Sequence, residues 1–111
     1  MLLWYNNLMN QTTILNYLST VKDKYQEEGL VIKALFGSYS RNEANAQSDV
    51  DILVEAMPEF SEKYGFGAIA RLREIQSEIS HALGGISIDF ADISGMGKTA
   101  KKFIIDRAIY V

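Results

Sequence analysis

The first third of the chain shows a helical pattern of hydrophobic positions followed by a nearly continuous hydrophobic run. Apolar side chains at helical spacing predict a helix that Gly29 would end: Ile14, Leu15, Leu18, Val21 and Tyr25. Residues 30–36 are apolar at every position except Lys33, which is typical of a strand buried on both faces. We therefore expect one helix and then one buried strand.

The rest of the chain continues this alternation. Residues 49–55 and 86–90 switch between polar and apolar side chains, which predicts two further strands. Pro58 marks a break between them. A stripe of apolar side chains then predicts one long helix, ended by the Gly pair at 84–85: Phe66, Ile69, Leu72, Ile75, Ile79 and Leu83.

Two more helices complete the predicted order of elements. We expect a short helix over residues 38–45 and a final helix over about residues 97–109. The order becomes α-β-α-β-α-β-α. The sequence therefore predicts an α/β (α+β) fold, with a small mixed sheet of about three strands and flanking helices.

Composition and charge narrow the class of protein. The 111 residues, of which 48% are hydrophobic, can build one core, so we expect a single domain over residues 1–111. The formal net charge is -3, whereas a protein that binds duplex DNA usually has an excess of basic residues. These features argue against a template-dependent polymerase.

Several expected absences bear on localisation. The chain has no cysteine, which excludes disulfides and thiolate zinc sites. Its first five residues are apolar but lack a basic flank, and asparagines interrupt them too soon for a signal peptide. No segment approaches transmembrane length. We therefore expect a cytoplasmic protein with no membrane partner.

Gly37 and Ser38, at the end of the first predicted strand, are suited to bind phosphate. Glycine lets the backbone approach an anion without a Cβ in the way. The exposed backbone amides and the serine hydroxyl can donate hydrogen bonds to phosphate oxygens, and the start of the short helix would add partial positive charge. Arg41, one turn later, is either a phosphate contact or an exposed helix arginine.

Asp49 and Asp51 follow Ser38 after ten intervening residues and share one face of the second predicted strand. Two carboxylates held this close repel each other unless a cation or a shared proton offsets their charge. Oxygen ligands of this kind suit Mg²⁺, which substrate phosphate and water would complete. A phosphate cradle facing a magnesium site indicates phosphoryl or nucleotidyl transfer.

The two segments together resemble a known family signature. Residues 37–44, Gly-Ser-Tyr-Ser-Arg-Asn-Glu-Ala, and residues 48–54, Ser-Asp-Val-Asp-Ile-Leu-Val, resemble that of the DNA polymerase beta-like nucleotidyltransferase superfamily. More narrowly, the chain is similar to minimal nucleotidyltransferases, called MNT or MntA-like, which are usually antitoxin partners of HEPN-domain toxins. The likeness extends from about Thr12 to the end and implies the nucleotidyltransferase fold. The family usually has glycine at Asn42, but asparagine tolerates a left-handed backbone.

The third predicted strand carries a further acid. Asp89 shares a polar face with Ser87, so the residues alone allow either a solvent-facing side chain or a member of the site. The resemblance implies that an acid on this strand ligates the catalytic metal and helps to deprotonate the attacking hydroxyl. Asp89 is the matching position, and Asp92, just past the strand, is the alternative.

The resemblance also implies a reaction. AMP would pass from ATP to a hydroxyl acceptor, with two Mg²⁺ ions held by Asp49, Asp51 and Asp89. Gly37 and Ser38 would hold the β- and γ-phosphates.

The implied acceptor is a tyrosine of a HEPN ribonuclease toxin, which the attached AMP would silence. Two other functions stay open. One is an antitoxin that neutralises its toxin by contact alone. The other is an antibiotic nucleotidyltransferase, although such relatives generally carry additional sequence to bind the drug. Association of the chain with copies of itself also stays open.

Overall fold

The computed structural model describes residues 10–41, 43–45 and 47–111, without the side-chain surroundings of residues 95 and 103–106. Asn42 and the apolar residues 1–5 lie outside the described residues. The helices and strands follow one another in this order: α1 Gln11–Gln26, β1 Leu30–Phe36, β2 Val50–Ala56, α2 Pro58–Tyr64, α3 Ala68–Ala82, β3 Ile88–Asp92, α4 Lys98–Arg107 and β4 Ile109–Tyr110. Short 3-10 turns occupy Ser38–Arg41, Gly65–Gly67 and Ile93–Gly95.

The four strands form one mixed sheet in the order β3-β2-β1-β4. β1 pairs antiparallel with β2 and with β4, whereas β2 pairs parallel with β3. This confirms the predicted mixed sheet with flanking helices. The bounds of β1 match the predicted strand, because an apolar run bounded by two glycines is a strong local signal.

β4 is a strand that the sequence pattern did not predict. The final helix was expected to reach residue 109, but α4 ends at Arg107, and Ile109–Tyr110 pairs with Ala34 and Leu35 of β1. Two residues are too few to show an alternating pattern. Their pairing satisfies backbone groups along an edge of β1 that would otherwise lie open.

Helix α1 begins and ends where the local chemistry favours it. The Asn10 side chain accepts a hydrogen bond from the Thr13 amide at 2.9 Å and caps the helix. After the last turn, Gly29 adopts φ of 95°, a left-handed conformation that favours glycine. The buried side chains of α1 then face the sheet.

Hydrophobic side chains cover both faces of the central strands. The larger core lies between α1, α2, α3 and one face of the sheet, and a smaller cluster of Ala34, Leu53 and Ile93 lies on the other face. In β1, Ile32 pairs with Val54 and Ala34 pairs with Leu53, so Lys33 is the extra residue of a bulge. The bulge allows Leu35 to join Ile32 in the larger core despite their odd spacing.

The predicted long helix from residue 66 is wrong over its first turn. The structure instead has α2, the turn Gly65–Gly67 and then α3. Pro58, which was predicted to mark a break, is the first residue of α2. Gly65, at φ of 54°, separates α2 from α3. Phe66 and Ile69 are exposed, so the buried stripe begins only after them. No helix within the described ranges is long and apolar enough to span a bilayer.

Candidate active site

The predicted site residues meet at one end of the sheet. Gly37 follows the last residue of β1, and Phe36 pairs with Asp51 near the start of β2. Because β3 runs parallel to β2, Asp51 in turn pairs with Asp89. Asp51 lies two residues before Leu53 and therefore on the sheet face of the smaller hydrophobic cluster. The pairing brings together three residues that are far apart in sequence.

Asp51 is the half-buried centre of this group. Desolvation raises the pKa of its carboxyl, and the negative charges of Asp89 and then Asp49 raise this pKa further, while the Arg41 guanidinium lowers it. Asp49 lies just before β2, and both it and Asp89 are exposed. The three acids therefore interact electrostatically, with the desolvated one in the middle.

The three carboxylates are suited to a hard divalent cation by their chemistry. Within the described ranges, none of them forms an ion pair or accepts a hydrogen bond. A cation bound to their oxygens would offset the repulsion that raises the pKa of Asp51. Among the same residues, however, no three Asp, Glu, His or Cys side chains converge closely enough to enclose a metal ion. Asp49, Asp51 and Asp89 thus offer ligands on an open edge.

Gly37 also makes room for a carboxylate, which the sequence did not indicate. Its φ of 75° is a left-handed conformation, and a Cβ at this position would overlap Oδ2 of Asp51. The sequence predicted only that Gly37 lets phosphate approach the backbone. The structure shows that it also leaves room for the carboxylate at the centre of the site.

The segment after Gly37 is a single 3-10 turn, Ser38–Arg41, shorter than the helix predicted over residues 38–45. Hydrogen bonds to carbonyl groups stabilise it: the Ser40 amide and Oγ donate to Gly37 O at 3.1 and 2.7 Å, and the Glu43 amide donates to Ser38 O at 2.9 Å. The chain thereby turns away from β1 directly after Ser38.

Gln11 contacts this turn from the first residue of α1. Its Nε2 donates to the carbonyl oxygens of Tyr39 and Ser40, both at 3.1 Å. Gln11 was not among the site residues predicted from the sequence. No periodicity or motif connects Gln11 with a turn 28 residues away, so the sequence carried no signal for the contact.

Arg41 lies near the acids but is held by another partner. Its Nε forms an ion pair with Glu43 Oε1 at 2.8 Å on the surface. Its charge nevertheless lowers the pKa of Asp51, which places the guanidinium within electrostatic reach of the site. The predicted phosphate contact stays a prediction.

Asp92, the alternative third acid, has a different role. Its Oδ1 accepts hydrogen bonds from the Ser94 amide at 2.9 Å and the Ser94 hydroxyl at 2.7 Å, and so caps the turn after β3. Asp92 pairs with Val54, three residues beyond the pair that joins Asp89 to Asp51. An odd spacing along a strand reverses the face. The structure therefore places Asp89, rather than Asp92, beside Asp51.

Known proteins share this fold and sequence pattern. A model of the nucleotidyltransferase domain matches residues 16–111. From Methanocaldococcus jannaschii, "Putative protein adenylyltransferase MJ0128" is 37% identical over 93 residues, which cover 82% of this chain and 83% of that protein. "Putative protein adenylyltransferase MJ1379" of the same organism is 48% identical over 46 residues, covering 38% of this chain and 43% of the relative.

A solved structure agrees over nearly the whole chain. "Structure of putative minimal nucleotidyltransferase" superposes with a TM-score of 0.70 and 25% identity, and covers 93% of this chain and 97% of that one. The chain belongs to the nucleotidyltransferase domain family, as an MNT-like enzyme. The family resemblance and the nucleotidyltransferase fold predicted from the sequence are confirmed.

Proposed function

We propose that this nucleotidyltransferase transfers AMP from ATP to a hydroxyl group on a protein. The observation that carries the proposal is the strand pairing that places Gly37 against the Asp51 carboxylate and Asp89 beside it. This arrangement joins a turn suited to phosphate with carboxylates suited to a divalent cation. The two relatives named as protein adenylyltransferases support the choice of AMP and of a protein acceptor.

Each residue of the site takes a defined part in the reaction. The backbone of Gly37 and the Ser38 hydroxyl bind the β- and γ-phosphates, and Arg41 contacts the triphosphate after leaving Glu43. Two Mg²⁺ ions, held by Asp49, Asp51 and Asp89, would stabilise the charge on the attacking and leaving oxygens. Asp89, exposed beside Asp51, receives the proton of the acceptor hydroxyl.

The transfer conserves all atoms. The acceptor oxygen forms a bond to the α-phosphorus, and the bond from that phosphorus to the oxygen leading to the β-phosphorus breaks. Pyrophosphate leaves with the electron pair. The acceptor hydroxyl gives its proton to Asp89, and its oxygen now carries the AMP group.

For the acceptor we propose a tyrosine of a partner HEPN-domain toxin, which gives the chain an antitoxin role. The support is the family resemblance, together with the openness of the site. Asp49 and Asp89 are both exposed, so a residue on the surface of another protein can reach the acids.

The test is transfer of label from ATP carrying ³²P at the α-position, in the presence of Mg²⁺ and a HEPN protein encoded beside the gene of this chain. We expect label on the partner with the wild type. Asp49→Asn and Asp51→Asn should each lower the rate about 10²- to 10³-fold. Asp23→Asn makes the same chemical change on the exposed surface of α1 and should leave the rate unchanged. Absence of label with wild type would contradict the proposal.

Neutralisation by contact alone is the second candidate. The observation in its favour is that the carboxylates of the described residues do not lie close enough together to enclose a metal ion. Full neutralisation of the toxin by a chain carrying both Asp49→Asn and Asp51→Asn would establish it. Label transfer to an aminoglycoside, but not to the HEPN protein, would instead indicate an antibiotic nucleotidyltransferase.

A further inference from the structure

The contact between Gln11 and the turn Ser38–Arg41 joins α1 directly to the phosphate-binding segment. One amide group, Gln11 Nε2, donates to two consecutive carbonyl oxygens, those of Tyr39 and Ser40, at 3.1 Å each. Both bonds are partly buried, where water replaces lost partners less readily. Gln11 precedes residues 16–111, over which the family model matches, so the donor lies outside the matched region while both acceptor carbonyls lie within it.

Both ends of this contact are firmly held. Gln11 is the first residue of α1, which Asn10 caps and which Ile14 and Leu18 anchor in the core. On the other side, Tyr39 is itself buried, and the turn directly follows Gly37, whose carbonyl accepts two hydrogen bonds from Ser40. The Gln11 amide therefore ties the turn to the rigid part of the molecule.

The position of the turn sets the position of the site. The Asp51 carboxylate lies so close to Gly37 that a Cβ there would overlap it. A displacement of the turn would therefore alter both the backbone offered to phosphate and the packing against Asp51. Reacting groups lose rate steeply when they move by about 1 Å.

We propose that Gln11 is a positioning residue for nucleotidyl transfer, which holds Gly37 and Ser38 in register with Asp51 through the carbonyl groups of Tyr39 and Ser40. The inference rests on the proposed function. It predicts that loss of the amide donor lowers catalysis without unfolding the protein. Helix stability alone does not require a glutamine in the first turn.

Three substitutions separate positioning from folding. Gln11→Glu keeps the shape but sets a carboxylate against two carbonyl oxygens, and a negative charge in the first turn favours the helix. Gln11→Met keeps the length without a donor. Gln11→Lys restores a donor of similar reach. Thr12→Ala, at the exposed next residue, is the control on the same helical turn.

We expect Gln11→Glu and Gln11→Met to lower kcat/KM for ATP at least about tenfold, with a melting temperature like that of the wild type. Gln11→Lys should recover part of the loss, and Thr12→Ala should show none. Hydrogen exchange measured by mass spectrometry should be faster for residues 37–41 in the first two variants. Unchanged kcat/KM in both, or a loss matched by an equal fall in stability in all three variants, would overturn the proposal.

A second measurement keeps this test separate from that of the reaction itself. If the wild type transfers no AMP to any acceptor, the proposed function fails. Calorimetric titration with an ATP analogue carrying a methylene group between the α- and β-phosphorus atoms then decides about Gln11. Weaker binding by Gln11→Glu and Gln11→Met, with faster exchange at residues 37–41, would support the positioning role, and wild-type binding would exclude it.

Discussion

The two ends of the sheet hold their carboxylates in opposite ways. At the end formed by Gly37, Asp51 is half-buried among like charges, and desolvation together with those charges raises its pKa. At the other end, just before β1, Glu28 receives two hydrogen bonds from Arg71 Nε and Nη2, both at 2.7 Å. These bonds lower the pKa of Glu28 to about 2.

The second end forms a network that we call the Arg71 cluster. Arg71 also contacts Glu74 and Glu78, at 3.2 and 3.0 Å, and a tyrosine hydroxyl donates to each of Glu28 and Glu78. The members are Tyr25, Glu28, Tyr64, Arg71, Glu74 and Glu78. The cluster joins α1, α2 and α3, so its carboxylates are satisfied by the fold itself.

The difference separates an acid with a structural role from an acid that we propose to act in the reaction. Residue type does not distinguish them, since both ends carry carboxylates near an arginine. Carboxylates that have a partner in the Arg71 cluster stabilise the packing of the helices. The charges of Asp51 and its acidic neighbours instead oppose folding unless a ligand supplies positive charge. Four substitutions test this contrast.

Replacing Arg71 should have the largest effect on stability. Arg71→Met leaves Glu28 without its main partner, with the two side chains only 16% and 14% exposed in the wild type. Loss of one partner of such a pair costs about 3 kcal/mol in free energy of unfolding, measurable by urea denaturation. Arg73→Met, at an exposed position on the same helix, should change little. Equal stability of the two variants would refute a structural role for the cluster.

Glu28 should dominate the acid limb of the stability curve. Its pKa falls from 4.5 to about 2 on folding, so its contribution is complete above about pH 4.5 and disappears as pH falls toward 2. The contribution is about 2–3 kcal/mol. Glu28→Gln should therefore be less stable at pH 7 and lose less stability on acidification, as followed by thermal unfolding at stepped pH. A parallel shift of the whole curve would contradict this assignment.

Gly37→Ala should damage stability and the site together. The left-handed backbone costs about 1–2 kcal/mol, and the added Cβ displaces Asp51. Gly84→Ala is a matched control, since Gly84 has φ of 83° but open space around a Cβ. Both variants should lose stability, but only Gly37→Ala should lose AMP transfer. Loss of transfer in both would show that backbone strain, rather than contact with Asp51, is responsible.

Asp51→Asn should have the smallest effect on stability and the opposite sign. Because the folded protein raises the pKa of this carboxyl, its ionisation opposes folding as pH rises. The amide should therefore raise the melting temperature at pH 7 in buffer containing a chelator, compared with Asp23→Asn. Added Mg²⁺ should stabilise the wild type but not Asp51→Asn. A lower melting temperature for Asp51→Asn would mean that this carboxylate is compensated after all.

The sequence predicted those features that local patterns encode. An apolar run between glycines defined β1, and alternation placed Asp51 and Asp89 on the strand faces opposite Val50 and Ile88. The features it did not predict depend on contacts between distant segments. Gln11, the Arg71 cluster and β4 show no periodicity, and the break at Gly65 interrupts a stripe that otherwise fits one helix.

The parallel pairing of β2 with β3 has a consequence for the order of folding. Residues 37–49 alone join β1 to β2, so we expect these strands to pair early. The pairing of Asp51 with Asp89 must close the longer loop that contains α2 and α3, so we expect it later. Repulsion between these two acids therefore enters late on the folding route. Removing the charge of Asp89 should slow unfolding while leaving the folding rate nearly unchanged. The acidic site then limits how long a folded molecule lasts, but not how quickly one is made.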